Sequence, residues 1–279
     1  MEISRKDQIT LNRNLLAAAE FNGPDAESII LKALAGGADP NARDEFARTA
    51  LMRAVQFQSV GAVRALLTAC DPEAKDDEGN TVLLVAAQCK EPLIWEMLVE
   101  RCDPNVRDKL GSTPLLATAG WANPYGIKAL IPVSDVAARD SQGRNALAAL
   151  RPQARWGEWW IADPLKLLAP LFPDDCGCRR SPNDPESFLD QMWSENHDML
   201  AETLLAALSV DEFSRSMRIL WVDSGPEALA KRLPTAFQRW DAISQQKALS
   251  DEVAAVEANA SAAKDQGQGA PRRSTSLRV

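Results

Sequence analysis

The stretch Asp108-Lys-Leu-Gly-Ser-Thr-Pro-Leu115 decides the fold, because versions of it stand at a fixed interval along the chain. Asp44, Asp76, Asp108 and Asp140 are spaced 32 residues apart. Each is followed at +5 by Thr49, Thr81, Thr113 or Asn145, and at +7 by Leu51, Leu83, Leu115 or Leu147. Gly79, Gly111 and Gly143 hold the +3 position, with Ala47 in the first copy. A second series, Asp39, Asp71, Asp103 and Asp135, precedes the first at the same interval. A constant period in the 20–50 residue range marks supersecondary units that bury their apolar faces only against one another.

The chemistry of one copy predicts its shape. Asp bonds its own backbone in a tight turn, and Gly accepts positive φ. Thr113 is a helix N-cap, and Pro114 takes the first helical position, where a missing N–H costs nothing. Thr49, Thr81 and Asn145 belong to the same set of caps. Short Ala- and Leu-rich helices follow over Leu51 to Phe57, Leu83 to Gln88 and Leu115 to Gly120. Second helices carry apolar residues at helical spacing: Val63, Leu66, Leu67; Ile94, Met97, Leu98; Ile127, Leu130, Ile131. They end at Asp71-Pro72, Asp103-Pro104 and Ser134-Asp135. The unit is turn, helix, helix, turn, and the fold class is an all-α solenoid.

This unit resembles the ankyrin repeat, whose pattern is Asp-x-x-Gly-x-Thr-Pro-Leu-His-x-Ala-Ala, later Leu-Leu-x-x-Gly-Ala-Asp-x-Asn-Ala. The matching stretches are Asp76 to Ala87, Asp108 to Leu115, and Gly36-Gly-Ala-Asp39-Pro-Asn-Ala-Arg43. The resemblance covers about residues 11–150, extends less securely to about 175, and departs from the pattern in three ways. Met52, Leu84, Leu116 and Ala148 replace the family His, so those helix starts are expected to lean on packing. The Gly before Ala-Asp is missing ahead of Cys70-Asp71 and Cys102-Asp103, which accounts for a period of 32. The fifth unit is interrupted: Asn145 begins a helix, but its partner at Pro164 arrives about six residues late, after Arg155-Trp-Gly-Glu-Trp-Trp160. The expected units are 11–43 (an atypical N-terminal cap), 44–75, 76–107, 108–139 and 140–175.

Beyond 175 the period is lost. Apolar spacing predicts helices over Pro185 to Leu208, Asp211 to Val222 and Gly225 to Leu249, a small bundle over 176–249 that covers the last face of the stack. Residues 250–279 are Ala, Ser, Gln, Gly and charge, the composition of a disordered polar tail.

With 31 Lys and Arg against 39 Asp and Glu the net charge is −8. That argues against nucleic acid, which needs a basic stripe, and suits a basic protein partner. No run of 18 apolar residues exists and no hydrophobic signal opens the chain, so a cytoplasmic, membrane-free protein is expected. Five cysteines in no disulfide-like spacing fit a reducing compartment. Cys70 and Cys102 replace a family Ala and should behave as small buried residues. Cys176, Cys178 and the lone His197 do not supply the ligand spacing of a zinc site or a convincing catalytic pair. No phosphate loop, serine elbow or carboxylate pair appears, so neither an enzyme nor a cofactor is expected.

The resemblance implies binding through turn tips and the exposed side of the first helices. On this chain those positions place Phe46, Arg48, Arg53, Phe57, Glu78, Lys109, Leu110, Trp121, Gln142 and Arg144 in a partner-binding face. Apolar Phe46 and Leu110 at outward tips, with Phe57 and Trp121, are the aromatic and aliphatic anchors such a face uses. Trp156, Trp159 and Trp160 are read as glue at the end of the stack rather than as a binding hot spot. The expected function is non-catalytic recognition of another protein by a chain that is monomeric when free. Two alternatives stand beside it: an inhibitor or immunity protein that occludes a basic toxin or enzyme, and a secreted effector whose C-terminal helices carry an activity.

Overall fold

The computed structural model describes residues 4–150, 158–172, 189, 192, 198–247 and 250. They form helices and turns without a strand; the only ladder-like pairing among them is an isolated bridge between Arg43 and Thr49. The chain divides into two compact units, Met1–Glu212 and Phe213–Val279.

The first unit is the repeat stack. Its helices are α1 (Arg5–Ala19), α2 (Ala26–Ala35), α3 (Ala50–Gln56), α4 (Val60–Leu67), α5 (Val82–Val85), α6 (Pro92–Val99), α7 (Pro114–Gly120), α8 (Pro124–Leu130), α9 (Ala146–Leu150) and α10 (Glu158–Leu168). First helices pack on first helices (α1 on α3, α3 on α5, α7 on α9) and second on second (α2 on α4, α4 on α6, α6 on α8). The in-phase leucines Leu51, Leu83, Leu115 and Leu147 are all sealed from solvent along this axis. Burying a leucine side chain contributes roughly 1.5–3 kcal/mol, so one residue per repeat supplies much of the stacking drive. Where the family has His, Met52, Leu84 and Leu116 are buried instead, in keeping with helix starts held by packing.

Hydrogen bonds fix the register between repeats. The N–H of Asp39 donates to Asn12 Oδ1 (2.9 Å), that of Asp71 to Asn41 (2.8 Å), that of Asp103 to Glu73 (2.9 Å) and that of Asp135 to Asn105 (2.7 Å). Each acceptor from Asn41 onward stands two residues after the preceding Asp, held by that Asp's own carboxylate. The next residue in this series is Ala137, which has no side-chain acceptor, so the ladder ends there.

Three details differ from the sequence expectation. After α5 the third repeat tightens into a 3-10 turn over Ala86–Gln88. The carbonyls there are claimed from outside: Ala87 O and Cys89 O accept from Asn123 Nδ2, and Cys89 O also accepts from Trp95 Nε1. In the fifth unit, α10 begins at Glu158 and runs through Pro164, so Trp159 and Trp160 lie on helical backbone rather than in a connecting insertion. Ile161, Leu165 and Leu168 form one fully buried face, and that burial outweighs an interior proline costing about 3 kcal/mol. Trp156 lies outside the described residues. The first unit also extends past 175, because α11 (Asp198–Ala207) packs on α10.

The second unit contains most of α12 (Val210–Ser224), then α13 (Pro226–Arg232) and a further helix over 234–247. One helix was expected from Gly225 to Leu249; two are found. Pro234 cannot donate to the turn before it and pushes Leu233 out of the helical region, to φ −127°. Phe213, Met217, Leu220, Leu229 and Leu233 form its core, with the Arg239 guanidinium 4.3 Å above the Phe213 ring. Residues 251–279 lie outside the described residues.

Candidate binding face of the repeats

Each turn is organised by its aspartate. One carboxylate oxygen of Asp44 accepts the N–H of Phe46 and of Arg48, both at 2.9 Å. Asp76 does the same for Glu78 and Asn80, Asp108 for Leu110 and Ser112, and Asp140 for Gln142 and Arg144, all between 2.7 and 3.0 Å. The +3 residue has positive φ in every copy: Ala47 56°, Gly79 85°, Gly111 73° and Gly143 75°. The side chains at +2 and +4 therefore leave the turn on its exposed side. The loops also touch one another, since Asp77 N–H donates to Phe46 O and Ser141 N–H to Leu110 O.

A cation series that sequence reading missed ties neighbouring turns together. Arg43, Lys75, Arg107 and Arg139 stand one residue before the turn aspartates, again at the 32-residue interval. Arg43 reaches Ala47 O and Lys75 O, Lys75 reaches Arg107 O, and Arg107 reaches Gly111 O and Arg139 O. The repeating charge was visible in the sequence. Its role was not, because the acceptors are backbone carbonyls.

The caps are less uniform than the sequence suggests. Thr49 and Thr113 accept from the N–H of Met52 (3.3 Å) and Leu116 (3.4 Å), and Asn145 from Ala148 (2.8 Å). Thr81 makes no cap hydrogen bond, and its buried hydroxyl finds no partner among the described residues.

Between the second and fourth repeats the turns and first helices enclose a groove of about 580 Å³. Phe46 and Trp121, each more than half exposed, line it together with Arg48, Gln56, Gln88, Asp76, Asp77, Glu78, Asn80 and Asp108. It thus unites Phe46, Arg48, Glu78 and Trp121 of the expected face. Trp121 and Arg144 share a second, smaller groove with Ser112 and Asp140. Arg53 lies in a third, beside Glu20 and Arg43. Phe57, Lys109, Leu110 and Gln142 line none of the three, although Phe57 and Leu110 are well exposed and Leu110 is the most exposed large apolar side chain described.

Several of these charged groups already have partners. Arg48 pairs with Asp44 at 2.9 Å and stacks on Phe46, 4.8 Å from the ring centre. Arg53 bridges Asp44 (2.9 Å) and Glu20, tying α3 to α1. Arg144 pairs with Asp140 at 2.8 Å. Burial pushes the Asp140 carboxyl up, but hydrogen bonds from Arg144 and Gln142 and the Arg144 charge outweigh it and hold the group below its usual range. Lys109 donates to the carbonyl of Asp77.

The thiols among the described residues are held unreactive. Cys70, Cys89 and Cys102 are free thiols. Burial, then Asp39 and Asp71, pushes Cys70 up to about 12, and burial, then Glu73, does the same to Cys102. Burial raises Cys89 as well. A thiol held protonated is a poor nucleophile and a poor metal ligand. Among the described residues no His, Cys, Asp or Glu group could hold a metal ion, and no helix is long and apolar enough to cross a membrane. Cys176, Cys178 and His197 lie outside the described residues.

A stack of paired helices with a hydrogen-bonded turn ladder and a grooved, partly aromatic face defines a helical repeat scaffold. Residues 15–108 match the model of the ankyrin-repeat family, as three copies. The same turn geometry continues at Asp140, beyond the matched stretch. No curated protein matches the chain. Ankyrin repeats generally bind other proteins and are typically non-catalytic.

Proposed function

We propose that this chain is a non-catalytic binding protein that grips a partner protein through the groove between its second and fourth repeats. The groove carries the proposal because Phe46 and Trp121, from different repeats, flank one surface lined by polar and acidic side chains. Half-exposed aromatic side chains leave much of their apolar surface unburied in the fold, yet aromatics are among the commonest energetic anchors of protein interfaces. Phe57, Leu110, Lys109, Gln142, Arg53 and Arg144 extend the face on either side. The free chain is monomeric and works in the cytoplasm.

Affinity capture with wild type and a Phe46→Asp, Trp121→Asp double variant tests this. Loss of the captured partners with an unchanged melting temperature is expected; retention of all of them sinks the reading.

The acidic lining favours a second reading, in which the partner is a basic enzyme or toxin that the chain occludes. The captured protein's own activity, measured with and without the chain, decides: inhibition at stoichiometric ratio supports occlusion, and full activity in the complex rules it out.

A further inference from the structure

The four turns share one design, yet they differ in a single charge. In the outer two, the residue at +4 is arginine, and its guanidinium neutralises the second carboxylate oxygen. Arg48 Nε and Arg144 Nε sit 2.9 and 2.8 Å from Asp44 Oδ2 and Asp140 Oδ2. In the inner two, the +4 residue is Asn80 or Ser112. Asn80 offers Asp76 Oδ2 only a neutral amide at 3.2 Å, and it also donates to Glu78. Ser112 is neutral and offers Asp108 no cation. Among the described residues neither Asp76 nor Asp108 has an ion-pair partner, and both line the central groove with Asp77 and Glu78. Arg48, the one cation lining this groove among the described residues, is paired with Asp44, and Lys109, next to Asp108 in the chain, donates to a backbone carbonyl.

Resting on the proposed function, we infer that the groove recognises an arginine-bearing segment of its partner. A guanidinium of that segment takes at Asp76 or Asp108 the seat that Arg48 and Arg144 fill in the outer turns, and a neighbouring apolar residue packs between Phe46 and Trp121. The molecule supplies the geometric precedent twice. A planar guanidinium meets this carboxylate, already held by two backbone N–H groups, through a charge-assisted hydrogen bond. Charge complementarity selects the occupant, because a neutral or acidic segment would leave these carboxylates unpaired beneath it.

The test fills the seats from within. An Asn80→Arg, Ser112→Arg double variant copies the outer turns and should keep the fold, which the melting temperature and circular dichroism check. Random twelve-residue peptides displayed on phage are selected on the full chain, and the enriched peptides are synthesised with arginine or with neutral citrulline. Enrichment of arginine beside an apolar residue is expected. Both the citrulline swap and the Asn80→Arg, Ser112→Arg variant should weaken binding at least about tenfold, the scale of one charge-assisted hydrogen bond. Peptides without arginine that are lost only with Phe46→Asp, Trp121→Asp would overturn the arginine seat and leave the binding face standing. Peptides indifferent to both variants, or no enriched peptides at all, would overturn both.

Discussion

The outer turns at Asp44 and Asp140 and the inner turns at Asp76 and Asp108 have nearly superimposable hydrogen bonding and opposite electrostatics. In each, a carboxylate oxygen gathers two N–H groups, a +3 residue takes positive φ, and the loop closes. The backbone needs only one carboxylate oxygen for this. The other is free to serve stability, as at Asp44, where Arg48 and Arg53 converge on it. At Asp108, which lines the central groove, no ion pair among the described residues takes it. The difference teaches that in this stack the turn is held by one carboxylate oxygen, and the charge state of the site is set at the other. A repeat can therefore be retuned at +4 without disturbing its turn.

The largest expected contrast comes from deleting only the charge. Asp44→Asn keeps the turn acceptor but leaves two largely buried guanidiniums without their shared partner, so it should cost about 2–3 kcal/mol. Asp76→Asn should be within about 0.5 kcal/mol of wild type, because no cation depends on it. Urea unfolding measures both; equal losses would erase the distinction between outer and inner turns.

Backbone strain gives the next contrast. Gly111→Ala places a Cβ 3.2 Å from the Ser141 backbone nitrogen at φ 73°, and should cost about 1–2 kcal/mol. Ala47 already sits at φ 56°, so Ala47→Gly should be neutral or stabilise by up to about 1 kcal/mol. Matching losses at the two positions would mean that the turns do not share one backbone.

Caps sharpen the picture within the inner repeats. Thr113→Val removes an accepted hydrogen bond and should cost about 0.5–1 kcal/mol. Thr81→Val removes a buried hydroxyl that has no partner among the described residues, and should be neutral or stabilising. A clear loss at Thr81 would show that its hydroxyl is satisfied in solution.

The smallest effect is in acid. Asp140 ionises below its unfolded value, so its stabilisation is present above the ordinary carboxylate range and disappears as pH falls through the folded value. Arg144→Gln should flatten that acid limb in a melting-temperature series by removing a small stabilisation near neutral pH, under about 1 kcal/mol because Arg144 is half exposed, while leaving stability in acid, where Asp140 is protonated, almost unchanged. An unaltered pH profile would show that the Arg144 charge does not hold Asp140 down.

Some of this was plain in the chain. The period, the turn aspartates, the glycines and the in-phase leucines are local or strictly repeating, and each maps to one steric, hydrogen-bonding or burial requirement, so the helical repeat stack could be read from these series together. The exposure of Phe46, Phe57, Leu110 and Trp121 was also legible, because the repeat dictates which positions face outward. Less legible was the split of the last long helix, although Pro234 was there to announce it. The passage of α10 through Pro164 depends instead on how well Ile161, Leu165 and Leu168 are buried together.

Other features could not be seen before the repeats were stacked. Arg43, Lys75 and Arg107 spend their charge on carbonyls of the neighbouring turn, and the Asn41, Glu73 and Asn105 ladder stops at Ala137. Whether Arg48 and Lys109 were free cations, and which of the ten outward residues share a groove, also waited on the stack. The sequence by itself determined the repeating unit and its outward positions, because turn chemistry and helical burial act over a few residues. Only the tertiary structure decided which charges remain unpaired, because a charge is neutralised by whatever lies within a few ångströms, and those neighbours come from other repeats.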